Sequence, residues 1–228
     1  MAKRRRSKKK EEEILVDVFE AKEAAQNFFE RNQLAVIGAG AIIVLLIGGY
    51  LGYSMLYQQP REKVAMSQMF KAEYQFQRDS FALALESPGS GYDGFLDIID
   101  NYGGTNAANL AKYYAGISYL NLNRFEDAIT YLESYKSSGN VTAITKYGAL
   151  GDAASELGDN QKALEYYRKA VSGPANDALT PYYLYKLGLL SYREGQSGSA
   201  EEAFGRINEE FPNATEAADA DKYLAMIQ

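Results

Sequence analysis

One frame is written three times in this chain. It opens with a glycine in an apolar stretch, Gly116 in YYAGISYL, Gly151 in YGALGDAA and Gly188 in YKLGLLSY, and twelve residues later comes an alanine, Ala128, Ala163 or Ala200. The glycines are 35 and 37 residues apart. The stretch ELGDNQKALEYYRKA, from Glu156, reads as the end of one helix, a tight turn at Gly158 and the start of a second helix. A single unit of this kind cannot bury its own hydrophobic face and needs stacked neighbours. The frame therefore predicts an all-α fold of helix pairs in series. Helical periodicity alone would suit an ordinary bundle, but a bundle has no reason to align three glycine and alanine pairs at one spacing.

A helix pair repeating at about 34 residues, with a small residue in each helix, resembles the tetratricopeptide repeat (TPR) family. The middle repeat, residues 144–176, carries the resemblance best, with Tyr147, Leu150, Gly151, Gly158, Ala163, Tyr167 and Ala170 on family positions. Leu187, Gly188, Gly195, Ala200, Phe204 and the helix-stopping Pro212 follow the same pattern. Around Gly116 the frame is thinner, because Asn123 stands where the turn glycine belongs and Lys112 fills a usually aromatic slot. A degenerate leading repeat over residues 62–108 is expected from the echo between FLDIIDNYGG at Phe95 and FGRINEEFPN at Phe204. It would open with a long helix over 62–86, and a last helix over 214–227 would close the array.

Ahead of the repeats, residues 34–57 run without a charge, and about 20 apolar residues suffice to cross a bilayer as a helix. A cleaved signal peptide would have a shorter apolar core behind a shorter lead, whereas this one follows 33 residues. The expected organisation is a cytoplasmic tail over 1–33, a transmembrane helix over 34–57 and a TPR-like α-helical domain over 58–228. Nine Lys and Arg precede the span, seven of them within KRRRSKKK. Positive-inside reasoning places the N-terminus in the cytoplasm and the repeats across the inner membrane, in the periplasm of a Gram-negative cell.

Residues 58–228 hold 15 basic and 23 acidic groups, net −8. Phosphate recognition needs a basic footprint, so nucleic acid is not an expected partner. The chain has neither His nor Cys, which removes the imidazole base, the thiolate nucleophile and the usual zinc ligands. Asp93, Asp97 and Asp100, like Glu201, Glu202, Glu209 and Glu210, suit helix starts and solvated faces. The loop GSGYDG at Gly89 lacks the Lys-Ser or Lys-Thr of a phosphate-binding loop and reads as a turn between helices. No catalytic residue, cofactor or metal is expected.

In a stacked array the first helix of each pair lines the binding face. This puts Tyr113, Ile117, Leu120 and Asn121 inward in the first pair, Gly148, Asp152 and Ser155 in the second, and Tyr182, Tyr185, Leu189, Tyr192 and Arg193 in the third. Tyrosine offers large contact area and a hydroxyl, so such a groove suits a peptide segment or helix of a protein partner. The alternatives are that the rings pack internally or that the leading helix fills the groove. In the span, Ala35 with Ala39 and Gly48 with Gly52 are small residues four apart, which permits close helix approach in lipid. Before it, Ile14, Val18, Ala21, Ala25 and Phe29, flanked by Leu15 and Phe28, form an amphipathic stripe for headgroups or a cytoplasmic partner.

The layout as a whole resembles the single-span TPR proteins of Gram-negative bacteria, a group that includes an ancillary subunit of the Sec translocon. That resemblance implies an adaptor or holdase-like subunit that meets translocon subunits, emerging chains or a periplasmic chaperone. The alternative is a structural scaffold in another envelope assembly serving secretion, cell-wall or motility machinery.

Overall fold

The computed structural model describes Lys22 and residues 28–227. The basic run over 3–10 and Ile14, Leu15, Val18, Ala21 and Ala25 lie outside the described residues. Phe28 and Phe29 are exposed and meet edge to face. The chain divides into two compact units, Met1–Gln59 and Pro60–Gln228.

In the first unit, α1 (Gln33–Tyr53) continues into a π-helical turn, Ser54–Gln58. The helix contains no charged residue, and none of its side chains is buried. It is long and apolar enough to cross a membrane. Ala35, Ala39, Gly48 and Gly52 all lie on it, and a Cβ at either glycine would meet nothing within 4 Å.

The second unit is all-helical among the described residues. It contains α2 (Gln59–Phe76), α3 (Phe81–Glu86), α4 (Phe95–Asn101), α5 (Asn106–Asn121), α6 (Phe125–Ser134), α7 (Asn140–Glu156), α8 (Asn160–Ala170), α9 (Leu179–Arg193), α10 (Ser197–Glu210) and α11 (Ala217–Ile227). The three repeats are the pairs α5 with α6, α7 with α8 and α9 with α10, each packed within itself and then on the next. Ala128, Ala163 and Ala200 are fully buried. Each repeat glycine faces the large side chain four residues beyond its alanine. A Cβ at Gly116 would come 2.5 Å from Leu132 Cγ, at Gly151 2.5 Å from Tyr167 Cδ1, and at Gly188 2.6 Å from Phe204 Cε1. The frame thus encodes a knob on the second helix and a hole on the first.

The turns repeat as well. Asn123, Gly158 and Gly195 all adopt positive φ, at 59°, 78° and 71°. Asn tolerates this left-handed conformation better than other side chains, which explains why the first repeat survives without its glycine. Polar bonds join equivalent heights of adjacent repeats: Asn160 donates to Glu194 (2.8 Å), Tyr166 to Glu133 (2.5 Å) and Lys186 to Asp152 (2.7 Å), over 34, 33 and 34 residues.

The expected long helix over 62–86 is two helices. The chain turns at residues 77–80, with Asp79 at φ 56°, and Phe76 folds onto Phe81, Phe95 and Tyr114 at ring distances of 5.4, 6.2 and 4.9 Å. Aromatic packing therefore outweighs helix continuity here. At the start of α2, Arg61 donates to the Asn101 carbonyl that ends α4 (2.7 Å). The Glu62 carboxylate accepts from the N–H groups of Asn106 and Ala107 at the start of α5 (2.6 and 3.0 Å). The helix dipoles favour both charges where they sit. Another long-range cap is Lys146, almost wholly buried, whose Nζ donates to the carbonyls of Tyr135 (2.6 Å) and Glu133 (3.3 Å) at the end of α6.

Candidate functional site

The inward stripe of α9 follows from helical spacing, since Tyr182, Lys186, Leu189 and Arg193 recur at three and four residues and share one face. Leu189, Tyr192 and Arg193 border a cavity of about 420 Å³ together with Ser155 of α7, Tyr167 of α8, Lys186 and Leu190 of α9, and Tyr223 of α11. This is within the usual size for a site that takes one large side chain or small ligand. None of its lining comes from α2, so the leading helix does not fill it. Among the described residues Arg193 has no ion-pair partner.

Asp152 does not itself line the cavity but binds two of the residues that do. Its Oδ1 accepts from the Tyr167 hydroxyl and from Lys186 Nζ, both at 2.7 Å, and the Lys186 ammonium also lies 4.8 Å from the centre of the Tyr182 ring. Burial alone would lower the Lys186 pKa, but the hydrogen bond it donates to Asp152 carries it above the ordinary value. The ammonium is thus held charged and spent on Asp152, which leaves Arg193 as the uncompensated cation.

The other expected groove residues are distributed as follows. Tyr113 is half-buried, 5.3 Å from the Tyr135 ring and 6.0 Å from that of Tyr114. Ile117 and Leu120 are half-buried against the core, and Asn121 is exposed with its amide donating to the Ile117 carbonyl. These four do not line the cavity. Gly148 is covered by Tyr183 of the next repeat, whose Cζ would lie 1.9 Å from a Cβ placed there. Tyr185 is half-buried, with ring distances of 5.9 Å to Phe204 and 6.2 Å to Tyr223. Tyr167, Lys186, Leu190 and Tyr223 complete the cavity without having been expected there. The seven-residue spacing from Lys186 to Arg193 was a readable signal, whereas Tyr223 depends on how α11 docks.

Burial first, and Asp152 second, push the Tyr167 and Tyr183 hydroxyls far above the ordinary tyrosine pKa. In the unfolded chain both ionise near pH 10, at about 1.4 kcal/mol per pH unit each beyond it. The stability they contribute is present below pH 10 and is lost as pH rises towards their folded values. Lys146, lowered by burial, works in the opposite sense up to about its ordinary pKa of 10.5. Urea unfolding should therefore show a loss of roughly 3 kcal/mol from this pair between pH 9 and 11, and Tyr183→Phe should reduce the loss. An equal midpoint at both pH values would mean that the rings ionise freely in the folded state.

Comparison with known proteins places this geometry in a family. No curated protein matches the chain. The family model described as the T7SS, ESX-1 secretion system protein EccA1, N-terminal domain, matches residues 63–223, which takes in all three repeats, the cavity and most of α2 and α11. The chain belongs to the family of the EccA1 N-terminal domain.

Proposed function

We propose that the chain is a non-catalytic, membrane-anchored adaptor of a secretion machinery, with the α9 cavity holding a segment of a protein partner. The open cavity, bordered by Tyr167, Tyr192 and Tyr223 with Arg193, which has no ion-pair partner among the described residues, is the observation that carries this reading. Aromatic rings and arginine are the side chains that most often supply interface energy. The family, that of a secretion-system protein's N-terminal domain, favours a scaffold or adaptor in such an assembly. A place beside the Sec translocon rests on the single-span layout alone. In this proposal α1 anchors the chain in the inner membrane, with the N-terminus cytoplasmic and the repeats periplasmic, because seven of the chain's basic residues crowd residues 3–10.

Two measurements test it. A periplasm-reporting enzyme fused after Gln228 should be active and a cytoplasm-reporting one silent; the reverse pattern would overturn the topology. Purification of the full chain in mild detergent, followed by mass spectrometry, should recover secretion components stoichiometrically. Their loss on substitution of Arg193 would tie them to the cavity, whereas recovery of the chain alone would count against an adaptor role.

A further inference from the structure

Lys112 breaks the pattern of its repeat. It stands four residues before Gly116, where the other repeats place Tyr147 before Gly151 and Leu184 before Gly188. Those two side chains pack in the core, whereas Lys112 is half-buried and lines a cavity of about 700 Å³. The cavity lies where the corner between α4 and α5, residues 103–106, meets the loop between α6 and α7, residues 135–138. It shares no lining residue with the α9 cavity.

Both walls are held from within. Asn109, one turn into α5, accepts from the Lys136 N–H (2.9 Å) and donates to the Lys136 carbonyl (2.8 Å). Thr105 donates to the Tyr102 carbonyl (2.7 Å) and accepts from the Ala108 N–H (3.1 Å), and Gly104 turns the chain at φ 87°. One repeat further on, Asn140 at the head of α7 donates to the Pro174 carbonyl in the loop after α8, so the corresponding walls touch. In the first repeat the clamp sits a turn deeper in the helix, and the cavity stays open beside it.

The lining selects for negative charge. Lys112 and Lys136 are its cations and no carboxylate lines it, in a domain of net charge −8. Neither lysine has an ion-pair partner among the described residues. Glu62 reaches the Asn106 N–H at the border, but it caps α5 and is not part of the lining. The N–H groups and hydroxyls of Ser137 and Ser138 have no hydrogen-bond partner among the described residues. Two ammonium groups beside hydroxyl and amide donors match an oxyanion with two charges. Lysine serves phosphate as a point charge, whereas the planar fork of arginine, absent from this lining, suits a carboxylate. Ile99, Ala108 and Leu110 add apolar surface, and the volume is that of a small-molecule site rather than of a bare ion.

We propose that this cavity binds a small organic phosphomonoester, its phosphate held by Lys112, Lys136 and the donors of Ser137 and Ser138, its carbon skeleton resting on Ile99 and Leu110. Such an ester is a dianion above about pH 6, which the two lysines neutralise. The site is independent of what occupies the α9 cavity. Titration calorimetry and thermal melting of the full chain in mild detergent test it, with phenyl phosphate as the probe. Phenyl phosphate should bind and raise the melting temperature. Phenyl sulfate, of the same shape with one charge, should bind about tenfold more weakly, and inorganic phosphate should also be weaker because it lacks the ring. Lys112→Met, which keeps the apolar stem, and Lys136→Gln should each weaken phenyl phosphate about tenfold while melting like the parent. Should Lys112→Met fail to fold, Lys136→Gln, at an exposed position, decides alone. Neither heat nor a melting shift with phenyl phosphate, or an affinity unchanged in either folded lysine variant, would overturn the proposal. Equal affinity for phenyl sulfate would show unselective attraction of anions, and equal affinity for inorganic phosphate a free-anion site; both would overturn it. Binding lost in Arg193→Ala but kept in the lysine variants would put the anion in the α9 cavity, and would overturn it too.

Discussion

Replacing Gly151 with leucine should destabilise the repeat domain strongly, whereas replacing Gly205 with alanine should stabilise it slightly. Both glycines are in helices, so propensity alone favours a good helix former such as alanine or leucine by about 0.5–1 kcal/mol. The difference is what the new side chain meets. At Gly151 a Cβ would lie 2.5 Å from two carbons of the Tyr167 ring, and that ring cannot move aside. Its hydroxyl is bound to Asp152, and its face stacks on Tyr183 at 6.4 Å. At Gly205 a Cβ meets nothing within 4 Å. Overpacking costs typically about 1–3 kcal/mol and more where neighbours are locked, so Gly151→Leu should lose roughly 3 kcal/mol or more. At about 2–4 °C per kcal/mol for a domain of this size, calorimetry should show a melting point lower by roughly 10 °C. Gly205→Ala should melt at or slightly above the parent temperature. Equal melting of the two variants would refute the knob-and-hole account of the frame.

Much of this packing was legible in the sequence because it is local. The glycine, turn and alanine of each repeat lie within twelve residues, and their spacing survives in Gly116 with Ala128 and Gly188 with Ala200. What pairs with each glycine, Leu132, Tyr167 or Phe204, follows one helical turn beyond the alanine. The contacts that were not legible come from elsewhere in the chain. Tyr183 reaches Gly148 from the following repeat, Glu62 caps α5 from 44 residues away, and Lys146 caps α6 through its side chain. No periodicity marks these positions. The same limit applied at the cavity, where a helical wheel puts Tyr185 inward, but Tyr223 stacks on Phe204 at 5.1 Å and occupies the space beside it. The break between α2 and α3 was hidden for a similar reason, since the residues around Asp79 carry no proline or glycine and the turn is fixed by Phe76 meeting three distant rings.

Tyr192→Ala combined with Arg193→Ala should release the protein partner while leaving the domain folded. Both side chains border the cavity and are exposed. Tyr192 has an edge contact to Tyr223 at 5.6 Å, and Arg193 has no ion pair among the described residues, so the cost to stability should stay at about 1 kcal/mol. Truncating a buried interface anchor costs about 2 kcal/mol or more. Two such losses correspond to about a thousandfold in affinity, enough to empty a detergent-solubilised complex. Tyr185→Ala is a poor substitute, because it removes a ring packed between Phe204 and Tyr223 and would confuse unfolding with release. Glu165→Ala with Lys169→Ala, exposed on α8 away from the cavity lining, should retain the partner. Circular dichroism and melting of each variant separate the two effects, and co-purification reads the outcome. If the partner stays with the Tyr192 and Arg193 variant but leaves when Gly48 and Gly52 are enlarged to isoleucine, the association runs through α1. The energy of recognition would then come from close helix packing in lipid, and the cavity would serve some other ligand.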